Sequence, residues 1–104
     1  MKKYETFIGV DVSKLKLDVS VLNKEGTFIA YQRFDNTPAG IKQIHRFVKQ
    51  HSKENISRWL LCLEHTGVYA MPLCVYLSEG KFNFVLVSAA HILKSIGIKR
   101  GKND

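Results

Sequence analysis

Hydrophobic residues follow three different periods along this chain, and each period suits a different backbone. From Leu17 to Leu22, and again from Thr27 to Phe34, apolar and polar side chains alternate. Period two marks a strand with one face buried. Lys24-Glu25-Gly26, between the two segments, has the composition of a hairpin turn. An earlier apolar run, Thr6-Phe7-Ile8-Gly9-Val10, reads as a strand leading to Asp11, with Lys14-Leu15-Lys16 as the polar turn that follows. Three strands joined by tight turns make an antiparallel meander.

The period then lengthens. Thr37 is placed to cap a helix, Pro38 suits a first helical position, and Ile41, Ile44, Phe47 and Val48 recur on one helical face. Lys42, Gln43, Arg46, Lys49 and Gln50 take the opposite face. Arg58-Trp59-Leu60-Leu61-Cys62-Leu63 is apolar without alternation, as expected of a strand covered on both faces, and it stops at Glu64-His65-Thr66-Gly67. A second helix is predicted from about Val68 to Ser78, with Gly80 as its stop. A strand from Phe82 to Val87 and a short helix from Ala89 to Ile96 follow. Strands joined through helices run parallel, by right-handed crossovers. The order βββαβαβα therefore predicts an α/β sandwich on a five-stranded mixed sheet, the ribonuclease H-like plan.

No repeat or linker divides the 104 residues, so one domain over 1–104 is expected. A chain that is 45% hydrophobic can offset its ordering entropy, which excludes intrinsic disorder. Apolar runs such as Trp59 to Leu63 fall far short of the ~20 residues of a spanning helix. Asp11 interrupts the apolar stretch behind Met1-Lys2-Lys3, so no secretion signal is read there. Cys62 and Cys74 are too few for a disulfide scaffold and read as free thiols in a reducing, cytoplasmic compartment.

Sixteen Lys and Arg against nine Asp and Glu leave a net charge of +7. That excess suits a polyanion partner, and equally a merely soluble surface. Cations concentrate between Lys42 and Arg58 and again from Lys94 to Lys102. Neither stretch interleaves aromatics as a platform for stacked bases does.

Two acids stand where buried apolar strands end: Asp11 after Phe7-Ile8-Gly9-Val10, and Glu64 after Trp59 to Leu63. Ligands of open α/β sheets collect outside the carboxyl ends of the strands. If these strands are parallel neighbours, ~4.8 Å apart, the two carboxylates converge. They then repel unless a cation or a shared proton lies between them. Hard oxygen ligands favour Mg²⁺ or Mn²⁺ over zinc. Ordinary strand-terminal acids bonded to loop amides account for the same residues. Ser13 and Lys14 either meet a phosphate or turn the hairpin, and the turn is the simpler role. Thr66 and Gly67 suit the start of the next helix. Asp18, inside an alternating strand, is expected to face solvent rather than to be a ligand. His65 and His91 are placed to orient an acid or touch a phosphate. The four histidines show no zinc-type spacing, no serine sits in a Gly-x-Ser-x-Gly elbow, and no Walker-type glycine loop occurs.

Four segments in succession carry a resemblance: Ile8-Gly9-Val10-Asp11-Val12-Ser13-Lys14, Phe34-Asp35-Asn36-Thr37-Pro38-Ala39-Gly40, Leu63-Glu64-His65-Thr66-Gly67-Val68-Tyr69 and Lys99-Arg100-Gly101-Lys102-Asn103-Asp104. Together they resemble the N-terminal catalytic domain of the DEDD insertion-sequence transposases, relatives of the Piv and MooV DNA invertases. The resemblance implies a RuvC-like form of the ribonuclease H fold. It also implies four acids, D-E-D-D, holding two divalent metals (Mg²⁺ or Mn²⁺) for DNA strand cleavage and transfer. Asp11 matches the first acid, Glu64 the second and Asp104 the third. The fourth acid and the family's serine-bearing C-terminal domain are expected beyond Asp104, so a chain ending there is expected to be inactive alone. Lys14, Lys94, Lys99, Arg100 and Lys102 are the cations expected to contact DNA. Some members are guided by a structured RNA, and self-association is expected of the complete protein. Two departures stand out: Ser88-Ala89 where the family usually has Asn-Pro, and Lys102-Asn103-Asp104 where it usually has Lys-Thr-Asp.

Two other readings remain at this point. A sugar-kinase or actin-like ATPase fragment also opens with a strand, an Asp and a hairpin. It wants glycine after that Asp and an Asp-Gly-Gly loop, and this sequence has neither. A non-enzymatic nucleic-acid-binding module would carry the same charge with incidental acids.

Overall fold

The computed structural model describes residues 4–64 and 67–87. Its strands are β1 (Thr6–Val12), β2 (Lys16–Asn23), β3 (Phe28–Asp35), β4 (Trp59–Glu64) and β5 (Phe84–Val87), and its helices are α1 (Pro38–His51) and α2 (Met71–Glu79). The sheet has the spatial order β3-β2-β1-β4-β5. β1, β2 and β3 pair antiparallel, β4 lies parallel to β1, and β5 parallel to β4. Tight turns permit antiparallel neighbours, whereas strands separated by a helix return in the same direction. The meander followed by crossovers is thus the architecture of the described residues. The expected third helix, Ala89–Ile96, lies outside them.

Pleating divides the strand residues between two faces. Ile8, Val10 and Val12 of β1, Leu17, Val19 and Val21 of β2, and Trp59, Leu61 and Leu63 of β4 form one core with the apolar faces of α1 and α2. Trp59 is buried, and its Nε1–H donates to the Glu54 carbonyl at 3.1 Å, which satisfies its one polar group. The opposite face carries a smaller cluster of Leu22, Cys62, Phe7 and Leu60. By the same alternation, Asp11, Asp18 and Glu64 belong to this second face.

Helix α1 forms as its sequence predicts. The Thr37 hydroxyl accepts the Gly40 N–H at 3.1 Å, Pro38 opens the first turn, and Ile41, Ile44, Phe47 and Val48 are buried. Lys49 in the last turn complements the negative end of the helix dipole.

Several boundaries differ from the sequence reading, most by a single residue. β1 continues through Asp11 to Val12, because β2 pairs with both residues. Arg58 belongs to a 3-10 turn, Ile56–Arg58, ahead of β4. Residues Gly67–Ala70 form another 3-10 turn, and α2 begins at Met71, where Pro72 fits the first helical turn. Phe82 precedes β5; its ring stacks on Tyr76 and meets His45 edge-on. The alternation in β3 buries only Phe34, because β3 is an edge strand.

Both cysteines are free; burial pushes the Cys62 thiol up to about 11 and that of Cys74 upward. Neither is a thiolate near neutral pH. No helix among the described residues is long and apolar enough to cross a membrane.

Candidate functional site

Asp11 is the penultimate residue of β1, and Glu64 the last of β4. The parallel register pairs Val10 with Leu63, so the two acids occupy the next positions of neighbouring strands. Alternation sends both to the face away from α1 and α2, where their carboxyl groups lie within hydrogen-bonding reach of each other. Such a bond needs a proton on one of the two. The Asp11 hydrogen bond, burial, and repulsion from the Asp11 charge, in that order, lift Glu64 above the ordinary glutamate range.

Asp18 pairs with Asp11 in the antiparallel register of β1 and β2. Instead of facing solvent alone, it is half-buried and held from β3. Arg33 Nε donates to Asp18 Oδ1 at 2.8 Å, and the Tyr31 hydroxyl donates to the same oxygen. The Arg33 hydrogen bond, then that of Tyr31, hold the Asp18 carboxyl below its usual range despite partial burial. A row Arg33, Asp18, Asp11, Glu64 thus crosses β3, β2, β1 and β4.

The turn behind Asp11 is closed. Ser13 N–H donates to the Lys16 carbonyl at 2.9 Å, Ser13 Oγ donates to the same carbonyl at 3.0 Å, and Lys16 N–H donates to Ser13 Oγ at 3.2 Å. Ser13 therefore has the turn role, and Lys14 is exposed on that turn. Asn36, at the end of β3, spans the gap. Its Nδ2 donates to the Ser13 carbonyl at 2.9 Å and to the Tyr69 carbonyl at 3.0 Å. Sequence reasoning gives Asn36 no role of its own; its signals are its place between a strand and a capped helix and its presence in one of the segments that carry the resemblance.

The structure brings together Asp11 and Glu64. Asp104, Lys94, Lys99, Arg100 and Lys102 lie outside the described residues, as do His65, Thr66 and His91. Among the described residues no group of three or more His, Cys, Asp and Glu side chains is placed to hold a metal ion. Asp11 and Glu64 offer two hard oxygen ligands.

The strand order, with acids at the adjoining ends of β1 and β4, defines a ribonuclease H-like domain of the RuvC kind. Two structures of Thermus thermophilus RuvC, one in complex with a Holliday junction substrate and one without, match with TM-scores of 0.57 and 0.52 at 10% and 14% identity. They cover 88% and 91% of this chain, and 69% and 82% of theirs. A Bacteroides thetaiotaomicron protein of actin-like ATPase fold and unknown function matches with a TM-score of 0.67 at 15% identity, over 93% of this chain. The chain spans only 39% of that protein's length. These likenesses establish the fold. No curated protein matches the sequence. The model of a transposase family, the DEDD type of IS110, matches residues 8–104. The chain belongs to this DEDD transposase family.

Proposed function

We propose that this chain is the catalytic domain of a DNA transposase, in which Asp11 and Glu64 hold a divalent cation, Mg²⁺ or Mn²⁺, for strand cleavage and transfer. The observation that carries the reading is the juxtaposition of Asp11 and Glu64 at adjoining strand ends in a member of this family. Two carboxyls close enough to share a proton form a place where a divalent cation displaces that proton, and their oxygens fit a hard ion. When bound, such ions stabilise the attacking and leaving oxygens of a phosphodiester exchange. Asp104 is proposed as a third ligand.

The chain's own residues supply the setting. Asp11 and Glu64 present their carboxyls from rigid strand ends, and Arg33 keeps the charge of Asp18 engaged with β3. Lys14, on the turn behind Asp11, is proposed as a backbone contact together with Lys94, Lys99, Arg100 and Lys102. Such contacts position DNA without reading its sequence. DNA as the partner is supported by the family match and by the RuvC relative bound to a Holliday junction. A guide RNA and self-association of the complete protein rest on family membership alone.

The test is strand cleavage by the complete transposase in Mn²⁺, with Asp11→Ala or Glu64→Ala. Each is expected to lower the rate by about 10²–10³-fold, the scale for losing one preorganised electrostatic group, while DNA affinity is kept. Cleavage at the unsubstituted rate would overturn the assignment.

The actin-like reading has one observation in its favour, the TM-score of 0.67. It requires glycine after the first acid, so that phosphate approaches the backbone. Here Val12 takes that place and is 3% exposed. ATP affinity that persists at high salt would favour this second reading.

A further inference from the structure

The junction between β3 and α1 carries Asp35-Asn36-Thr37-Pro38-Ala39-Gly40, and two-acid chemistry by itself uses none of it. Its geometry is nevertheless specific. Asn36 N–H donates to the Leu15 carbonyl at 2.9 Å. Its side-chain amide donates to the carbonyls of Ser13 and Tyr69 at 2.9 and 3.0 Å. Ser13 lies two residues past Asp11, and Tyr69 five past Glu64. One primary amide therefore ties together the two segments that leave the acids.

The amide has only one usable orientation. Turned over, Oδ1 would face two carbonyl oxygens, and both bonds would become repulsions. Oδ1 is itself buried without a hydrogen-bond partner among the described residues. Buried acceptors are normally matched, so the donor side of the amide accounts for its placement. The support is stiff as well. Lys16 Nζ holds Asp35 at 2.7 Å, and Thr37 caps α1. A Cβ at Gly40 would stand 2.0 Å from the Asp35 carbonyl oxygen, so only glycine lets the helix start this close to the strand.

We propose that Asn36 is a positioning residue: it locks the turn behind Asp11 to the turn behind Glu64 and so fixes the spacing of the two carboxyls. The inference rests on the reading of those acids as a cation site. Groups behind metal ligands set ligand orientation, and their loss typically weakens binding by about 10–100-fold.

The experiment compares the unsubstituted chain with Asn36→Ala and Asn36→Asp by NMR. It follows amide hydrogen exchange and the broadening of the Asp11 and Glu64 signals on titration with Mn²⁺. Exchange in segments 13–15 and 67–69 is expected to rise by about tenfold or more while the centre of the sheet is unchanged, and Mn²⁺ affinity to fall on the scale above. Asn36→Asp, of equal size but with an oxygen where the donor was, is expected to do no better than Asn36→Ala. Unchanged exchange in both segments, or unsubstituted affinity in Asn36→Asp, overturns the proposal. If the unsubstituted chain shows no Mn²⁺ effect at Asp11 and Glu64, the cation reading falls, and the exchange comparison alone still decides whether Asn36 ties the turns. Should both variants unfold, the side-chain amide protons of Asn36 in the unsubstituted chain decide. They should exchange more slowly than those of Asn23, and equal rates overturn the inference.

Discussion

Asp11 and Asp18 stand directly across from each other on β1 and β2, on the face that also carries Glu64. Like charges opposite one another destabilise a sheet. Arg33 and Tyr31 draw the Asp18 carboxylate toward β3, while Asp11 lies against Glu64 and raises the pKa of that carboxyl. Three acids on three adjacent strands are thereby divided into a neutralised carboxylate and a close pair in which Glu64 is held above its ordinary range.

Removing the neutralising partner should expose that repulsion. Arg33→Ala is expected to lower stability slightly at low salt, as for an exposed ion pair, with a smaller loss at high salt. Urea denaturation at two ionic strengths checks it. The pH dependence has a definite sign. Asp18 has a lowered folded pKa, so its contribution is present above its ordinary value of 3.8 and is lost as pH falls through the folded value. Asp18→Asn should flatten the acid limb of the stability curve, and an unaltered limb would contradict the assignment.

Glu64 should behave in the opposite sense. Its folded pKa lies above the ordinary 4.5, so the stability it allows is full below that value and is lost as pH rises through the folded pKa. Glu64→Gln is therefore expected to melt higher than the unsubstituted chain at neutral pH, without divalent cations, and alongside it near pH 4. A lower melting temperature at neutral pH would show that the charged pair is not a cost.

His45 meets the rings of Trp59 and Phe82 edge-on, and burial, then the charge of Lys49, lowers its pKa from 6.5. A lowered histidine contributes stability above its unfolded pKa and loses it as pH falls toward the folded value. The melting temperature should drop as the solution is taken from above pH 6.5 to below it, and His45→Phe should remove most of that drop. Thermal melts of the two proteins across this range are the check.

Gly40→Ala tests the strand–helix junction. The added methyl meets backbone, which yields less readily than a side chain, so a loss of roughly 1–3 kcal/mol or more is expected. Chemical denaturation measures it. A change of a few tenths would mean that α1 shifts away from Asp35 at little cost.

Much of this was legible in the residues because periodicity is local. Alternation in Leu17–Leu22, helical spacing from Ile41 to Val48 and the unbroken run from Trp59 to Leu63 each specify a backbone and a buried face without reference to the rest of the chain. The order of those elements then leaves few sheets to build, and Asp11 and Glu64 can be placed at strand ends from the sequence. The start of α2 was less legible: the apolar segment from Val68 onward hides the 3-10 turn ahead of Met71, which the backbone takes up before Pro72.

The sequence by itself therefore determined the element order as far as β5, much of the core and the family, since each follows from residue types at short spacing. Tertiary structure alone decided that Asp18 is held by Arg33 and Tyr31, and that Asn36 bridges Ser13 and Tyr69. Those contacts join residues brought together by strand register and by the seating of one turn against another. Register depends on which ladder closes across the sheet, and a hydrogen bond depends on positions to within a few tenths of an ångström. No local pattern of residues encodes either.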